Sequence, residues 1–143
     1  MPTTTFEKDH LIYRRATEKD IPRILGFVDI YLRKDWLVRR DYLWSTMHTD
    51  ETWIVTDKKR VVAWATVGRA GRRGLWNLLV HPEYRNRGIG RTLVQRLKPD
   101  YIRSKSDQSD GDPAAFYARL GYETIKQNAG RKRNIQIMRR RKP

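Results

Sequence analysis

The nineteen residues LWNLLVHPEYRNRGIGRTL, from Leu75 to Leu93, restrict the possible folds more than any other stretch of the chain. An apolar run long enough for a buried strand ends at His81-Pro82, two arginines and two glycines follow, and Ile89, Leu93, Val94 and Leu97 then recur at helical spacing. A strand therefore feeds a helix through a glycine-bearing turn. A helix opening near Gly88 presents unpaired amide N–H groups at the positive end of its dipole, and glycine lets a bulky anion approach the backbone without a Cβ in the way. That combination reads as a phosphate cradle. It is neither of two familiar nucleotide signatures: no Lys-Ser/Thr follows a G-x-x-x-x-G, and Gly88-Ile89-Gly90 lacks the third glycine of the dinucleotide fingerprint.

The flanking sequence supplies the rest of an alternating fold. Leu11 to Arg15 reads as a short strand, and Thr17 with Asp20 as a capping box opening a helix through Ile21, Ile24, Leu25, Val28 and Leu32, with Pro22 in its first turn. Tyr42, Leu43, Trp44 and Met47 mark a second helix. TWIVTD (52–57) and RVVAWATV (60–67) are β-branched strands joined by a tight turn, and GLWNLLVH (74–81) is the next strand. Pro99 stops the helix that follows, Tyr101 to Arg103 forms a weak strand, and SKSDQSDGD (104–112) is a polar loop. Asp112-Pro113 and Gly121 bracket a short helix, PAAFYARL, with Pro113 expected at its first position; YETIKQ and NIQIMRR close the chain as strands. With 143 residues there is room for one domain, 1–143, whose basic end, 139–143, is expected to be loose.

Two segments carry a family resemblance. Arg85-Asn86-Arg87-Gly88-Ile89-Gly90, preceded by LLVHPEY, resembles the R/Q-x-x-G-x-G/A segment of the GNAT superfamily of acetyl-CoA-dependent N-acyltransferases. PAAFYARLGYE resembles that family's second signature, an aromatic-Tyr-x-x-Leu-Gly-aromatic helix end. The resemblance implies an α/β fold of the α+β type: a mixed, mostly antiparallel sheet of roughly six to seven strands, splayed between strands four and five, with about four flanking helices. It further implies that the backbone of Leu78, Leu79 and Val80 pairs with the pantetheine arm, and that the amides of Arg85, Asn86, Arg87, Gly88, Ile89 and Gly90 hold the pyrophosphate. Asp110 falls where many relatives place an asparagine near pantetheine. Acetyl-CoA is then the co-substrate.

Transfer to an amine needs a neutral nucleophile, an oxyanion stabiliser and a proton for the leaving thiolate. By resemblance Tyr117 is the general acid, and the amide of Leu78 or Leu79 polarises the thioester carbonyl. Asn77 can orient a water. Many relatives carry a glutamate on the fourth strand, whereas GLWNLLVH offers no carboxylate; Asp107, Asp110 and Glu123 are the remaining acids to weigh, and His81 reads as a turn residue before Pro82. An amine already neutral near physiological pH, such as an α-amino group with pKa about 7.7–8.0, suits such a site better than lysine.

Charge bears on the acceptor. The formal net charge is +15, and Arg131, Lys132, Arg133, Arg139, Arg140, Arg141 and Lys142 place seven cations in twelve residues without an acid. Arg33, Lys34, Arg39 and Arg40 form a second cluster, Arg69, Arg72 and Arg73 a third, and Trp36 and Trp44 lie among the cations where they could stack on bases. The amine acceptor is left undetermined, and the charge admits one linked to a nucleic acid, DNA or RNA: aminoacyl-tRNA, or a DNA base as in the Mom-type phage enzymes, whose sequence endings GRKRNIQIM resembles. Two alternatives stay open, a nucleic-acid-binding module on the same scaffold without activity and an ordinary acetyltransferase with a solvated basic surface. With no cysteine, and with His10, His48 and His81 lacking ligand spacing, neither disulfide nor metal is expected. The first residues lack a signal-peptide pattern and no run could span a bilayer, so the expected address is the cytoplasm, with no membrane partner; a homodimer is left open.

Overall fold

Alternation along the central strands sorts their side chains onto two faces, each covered by different helices. The computed structural model describes residues 5–31, 40–68, 73–105 and 113–141. Arg33, Lys34, Trp36, Arg39, Arg69, Arg72, Asp107, Asp110 and Lys142, singled out above, lie outside them. The strands are β1 (Phe6–Lys8), β2 (Leu11–Arg15), β3 (Asp50–Asp57), β4 (Arg60–Gly68), β5 (Gly74–Val80), β6 (Tyr101–Lys105), β7 (Tyr122–Ala129) and β8 (Ile135–Arg140). They form one sheet in the order β1-β2-β3-β4-β5-β6-β8-β7, antiparallel at every step except β5–β6. Eight strands replace the expected six to seven. The addition is β1, whose turn to β2 uses Asp9 and His10 at φ 54° and 68°, without the glycine that would have announced it.

The helices are α1 (Ile21–Tyr31), α2 (Arg40–Thr49), α3 (Ile89–Leu97) and α4 (Ala114–Arg119). Trp53, Val55, Ala63, Ala65, Val67 and Leu75 share a core with Ile89, Leu93, Val94 and Leu97 of α3. On the other face Ile54, Val61 and Trp64 pack with Ile21, Ile24, Phe27 and Val28 of α1. Full burial of each valine, leucine, isoleucine or phenylalanine among them contributes about 1.5–3 kcal/mol. A single 3-10 turn, Glu18–Asp20, precedes α1; Asp20 accepts from the Thr17 amide at 2.7 Å and from both terminal nitrogens of Arg14 at 2.7 and 2.9 Å. These bonds, led by that from Arg14, hold the buried Asp20 carboxyl below the usual range.

Two details stand out near the chain's end. Pro113 stands at the cap position of α4 rather than inside its first turn, and Arg139 and Arg140 belong to β8, within the strand expected over NIQIMRR. Pairing explains the second: β8 lies between β6 and β7, with Tyr101 opposite Arg139 and Tyr122 opposite Arg140.

Candidate active site

With β1 counted, the junction expected between strands four and five is the parallel junction of β5 with β6. Only Gly74 with Tyr101 and Leu75 with Ile102 pair there, although both strands run on in the same direction. Beyond Leu75 the pairing ends, and among the described residues no strand lies beside one edge of Asn77–Val80.

The phase of β5 decides which backbone groups face the opening. The His81 amide donates to Val62 O on β4 at 2.8 Å, and Ala63 pairs with Val80 and Trp64 with Leu79. Hydrogen-bonding direction alternates along an antiparallel ladder. Leu79 therefore points its N–H and C=O at β4, whereas Leu78 and Val80 point theirs into the opening. The Arg85 Nε bond to Val80 O, 3.1 Å, fits that phase. Of the two amides weighed for the thioester carbonyl, Leu78 has the direction and Leu79 does not.

The strand-to-helix turn lies alongside. Asn86 and Gly88 have φ of 64° and 82°, and the first i→i−4 bond of α3 runs from Thr92 N to Gly88 O at 2.9 Å. The amides of Ile89, Gly90 and Arg91 consequently have no acceptor within the helix, and Gly88 at the N-cap offers no side chain to satisfy them. A Cβ at Gly88 would meet nothing within 4 Å, so its side faces open space. Gly90 is bare for a different reason: a Cβ there would stand 3.1 Å from Phe116 Cζ, so α3 and α4 touch at this point. The two sequence signatures meet through that contact.

Arg85 and Arg87 are partly committed to the turn itself. Arg85 ties back to Val80, and the Arg87 guanidinium lies 4.9 Å over the Tyr84 ring, whose hydroxyl donates to Asp57. Buried His81 pins the turn from below: the Glu83 amide donates to its Nδ1 at 3.0 Å, and an Arg60 nitrogen stands 2.6 Å from Nε2. Burial, with the Arg60 charge, pushes its pKa down, which favours the neutral ring, and Nδ1 is taken up as the acceptor for the Glu83 amide. His81 is thus a brace rather than a base. Sequence reasoning had no means of finding this cluster, which joins the β3–β4 hairpin to the turn before α3.

Tyr117 lies on α4 within the core shared with α3, its ring edge-on to Phe116 at 5.0 Å between centroids. Its hydroxyl has no hydrogen-bond partner among the described residues, and burial pushes its pKa well above the ordinary phenol value, which keeps it protonated. Asn77 is buried on the α1 face and donates from Nδ2 to Thr66 Oγ1 at 2.7 Å. Thr52 and Thr66 occupy the same register row, making a polar strip beneath the helices. Glu123 is excluded as a base: it pairs with Arg139 at 3.3 Å on β7, three strands from β5, or about 14 Å at normal strand spacing. Among the described residues no group of three or more His, Cys, Asp or Glu is arranged to hold a metal, and no helix is long and apolar enough to cross a membrane.

A family model described as an acetyltransferase (GNAT) domain matches residues 48–124. The fold is similar to that of the ribosomal-protein-S18-alanine N-acetyltransferase from Escherichia coli, with 17% identity, 90% of this chain and 91% of that one covered, and a TM-score of 0.69. It is similar to Arabidopsis thaliana Naa50 in complex with a bisubstrate analogue, CoA-Ac-MVNAL, with 15% identity, coverage of 90% and 97%, and a TM-score of 0.72. The PaiA N-acetyltransferase from Thermoplasma acidophilum, in complex with coenzyme A, gives 12% identity, coverage of 92% and 99%, and a TM-score of 0.70. No curated protein sequence matches the chain.

Proposed function

The chain belongs to the GNAT acetyltransferase family, and from that premise we propose that it transfers the acetyl group of acetyl-CoA to an amine carried by a nucleic acid, by direct attack in a ternary complex. The observation that carries the reading is the opening after Leu75 and Ile102, with the α3 N-terminus beside it. Pantetheine pairs with Leu78 and Val80 as an added strand, and the amides from Arg85 to Gly90, extended by Arg91, hold the pyrophosphate.

The neutral amine attacks the thioester carbonyl carbon, and the Leu78 amide stabilises the oxyanion that forms. Collapse breaks the C–S bond; Tyr117 gives its proton to the departing thiolate and regains one, through water, from the new ammonium. Asn77, held by Thr66 on the α1 face, orients a water on that side of the opening. The products are an N-acetyl amide and free CoA. No carboxylate on β5 assists, which favours an acceptor of low basicity such as an α-amino group. Acceptor linkage to nucleic acid is supported by the +15 charge, more than a phosphorylated cofactor alone requires. Incubating the protein with isotope-labelled acetyl-CoA and RNA, DNA or cell extract, followed by mass analysis, tests the proposal: label in an RNA or DNA fraction is expected. Label only in small molecules or protein overturns the nucleic-acid part. Absence of label with retained nucleic-acid binding would return the chain to the binding-module reading.

A further inference from the structure

Trp76 is a large aromatic side chain left 41% exposed on a central strand of the sheet. It is the extra residue of a bulge, since Leu75 pairs with Val67 and Asn77 with Thr66. Its indole lies against the sheet itself: a Cβ on Gly68 would stand 2.8 Å from Trp76 Nε1, and one on Gly74 would stand 2.6 Å from Cη2. Both glycines belong to the face opposite Leu75 and Val67, which is the α1 face. Two bare positions on adjacent strands therefore let the ring lie down with its outer side open.

The same face continues across the junction. Tyr101 is the register partner of Gly74, and Arg139 with Glu123 extends that row; the next row is Arg103, Ile137 and Lys126. The intervening residues Ile102, Met138 and Tyr122 turn to the opposite face and are core. Arg103, Lys126 and Arg139 are exposed, while Tyr101 and Ile137 are half-buried. Arg131, Lys132 and Arg133, also exposed, follow at the β7–β8 turn. Against these cations stand Glu123, paired with Arg139, and Asp50, opposite Gly68 at the far side of the indole.

We infer that this surface is the docking platform for single-stranded nucleic acid, with a base stacked on Trp76, Tyr101 beside it, and phosphates running over Arg103, Lys126 and Arg139. The inference rests on the acceptor being nucleic-acid-linked and names the surface and the strandedness. Open aromatic faces with flanking cations suit unstacked bases, which a duplex does not offer. The platform also adjoins the opening after Leu75, on the side where Asn77 lies.

Fluorescence anisotropy with a labelled single-stranded RNA of about 15 nucleotides tests it, alongside a duplex of the same length. Trp76→Ala is expected to weaken single-strand binding about five- to 150-fold, the range for losing one base stack, with Trp76→Phe retaining most of it. Arg103→Gln with Lys126→Gln is expected to reduce the slope of log affinity against log salt by about 1.4, at about 0.7 per lost phosphate contact. Coenzyme A affinity, measured by calorimetry on the same proteins, reports folding and tests the cofactor reading separately. RNA affinity and salt slope unchanged in these variants, no RNA binding by the parent at about 50 mM salt, or duplex binding as tight as single strand would each overturn the platform. Failure of the parent to bind coenzyme A would instead sink the acetyltransferase reading.

Discussion

Gly88→Ala separates backbone strain from loss of the cradle, because a matched control exists elsewhere in the fold. Gly88 has φ +82° and Gly121, after α4, has φ +98°, and at both an added Cβ would meet nothing within 4 Å. Alanine at either site therefore meets no clash. It does meet the left-handed penalty of about 1–2 kcal/mol, offset by about 0.4–1 kcal/mol because alanine has less freedom to lose from the unfolded chain. The net cost is about 1 kcal/mol, and at about 2.1 cal/mol/K per residue of unfolding entropy a chain of 143 residues should lose about 3 °C in Tm. Both variants are expected to show that loss by thermal unfolding. Only Gly88→Ala should also lose coenzyme A affinity, by tenfold or more in calorimetry, a drop of about 1.4 kcal/mol, because its methyl projects into the open side where the diphosphate is placed. Equal coenzyme A affinity in the two variants, whether kept or lost, would refute the placement.

Other substitutions probe single links. Tyr117→Phe should lower kcat at least tenfold while leaving coenzyme A affinity within about twofold, as expected for loss of a general acid; an unchanged kcat removes the phenol from the reaction. Asp20→Asn should cost about 1.5–3 kcal/mol near pH 7, since its bonds come from a charged Arg14. Because the folded-state pKa of Asp20 is depressed, that stabilisation is present above the unfolded value of about 3.9 and fades as pH falls through the folded one; urea unfolding near pH 7 and pH 3 should show the gap between parent and variant shrinking. Gly74→Ala should displace the Trp76 ring, costing about 1–3 kcal/mol by overcrowding and shifting tryptophan emission to the red; an unmoved spectrum would mean the ring does not lie on Gly74.

The parts of this fold written in local sequence were legible without coordinates. Helical spacing of Ile89, Leu93, Val94 and Leu97, the Thr17–Asp20 pair and the β3–β4 hairpin each depend on residues a few positions apart, and each stands where expected. What was not legible depends on phase or distance. Leu78 and Leu79 are indistinguishable by composition, and only the bond of His81 to Val62 sets which amide faces outward. Contact of Gly90 with Phe116, of Arg60 with His81 and of Trp76 with Gly68 each joins separate elements. No pattern within one element reports such a pair. Even β1 escaped notice, being three residues long with a turn made by aspartate and histidine.

The abrupt end of pairing after Leu75 and Ile102 also has a mechanical meaning. Two register pairs join β1–β5 to the β6-β8-β7 ladder, yet Leu75, Ile102, Met138 and Tyr122 belong to one continuous apolar layer with α3. Grease shares the load across that line with a few rungs at one end. Apolar contact is non-directional, so that layer tolerates small shifts, which the Asp100 and Tyr101 amides, donating to Arg73 O at 2.7 and 3.0 Å, limit at one end of the junction. The fold thereby gains compliance at one line while each half stays stiff in its own hydrogen bonds.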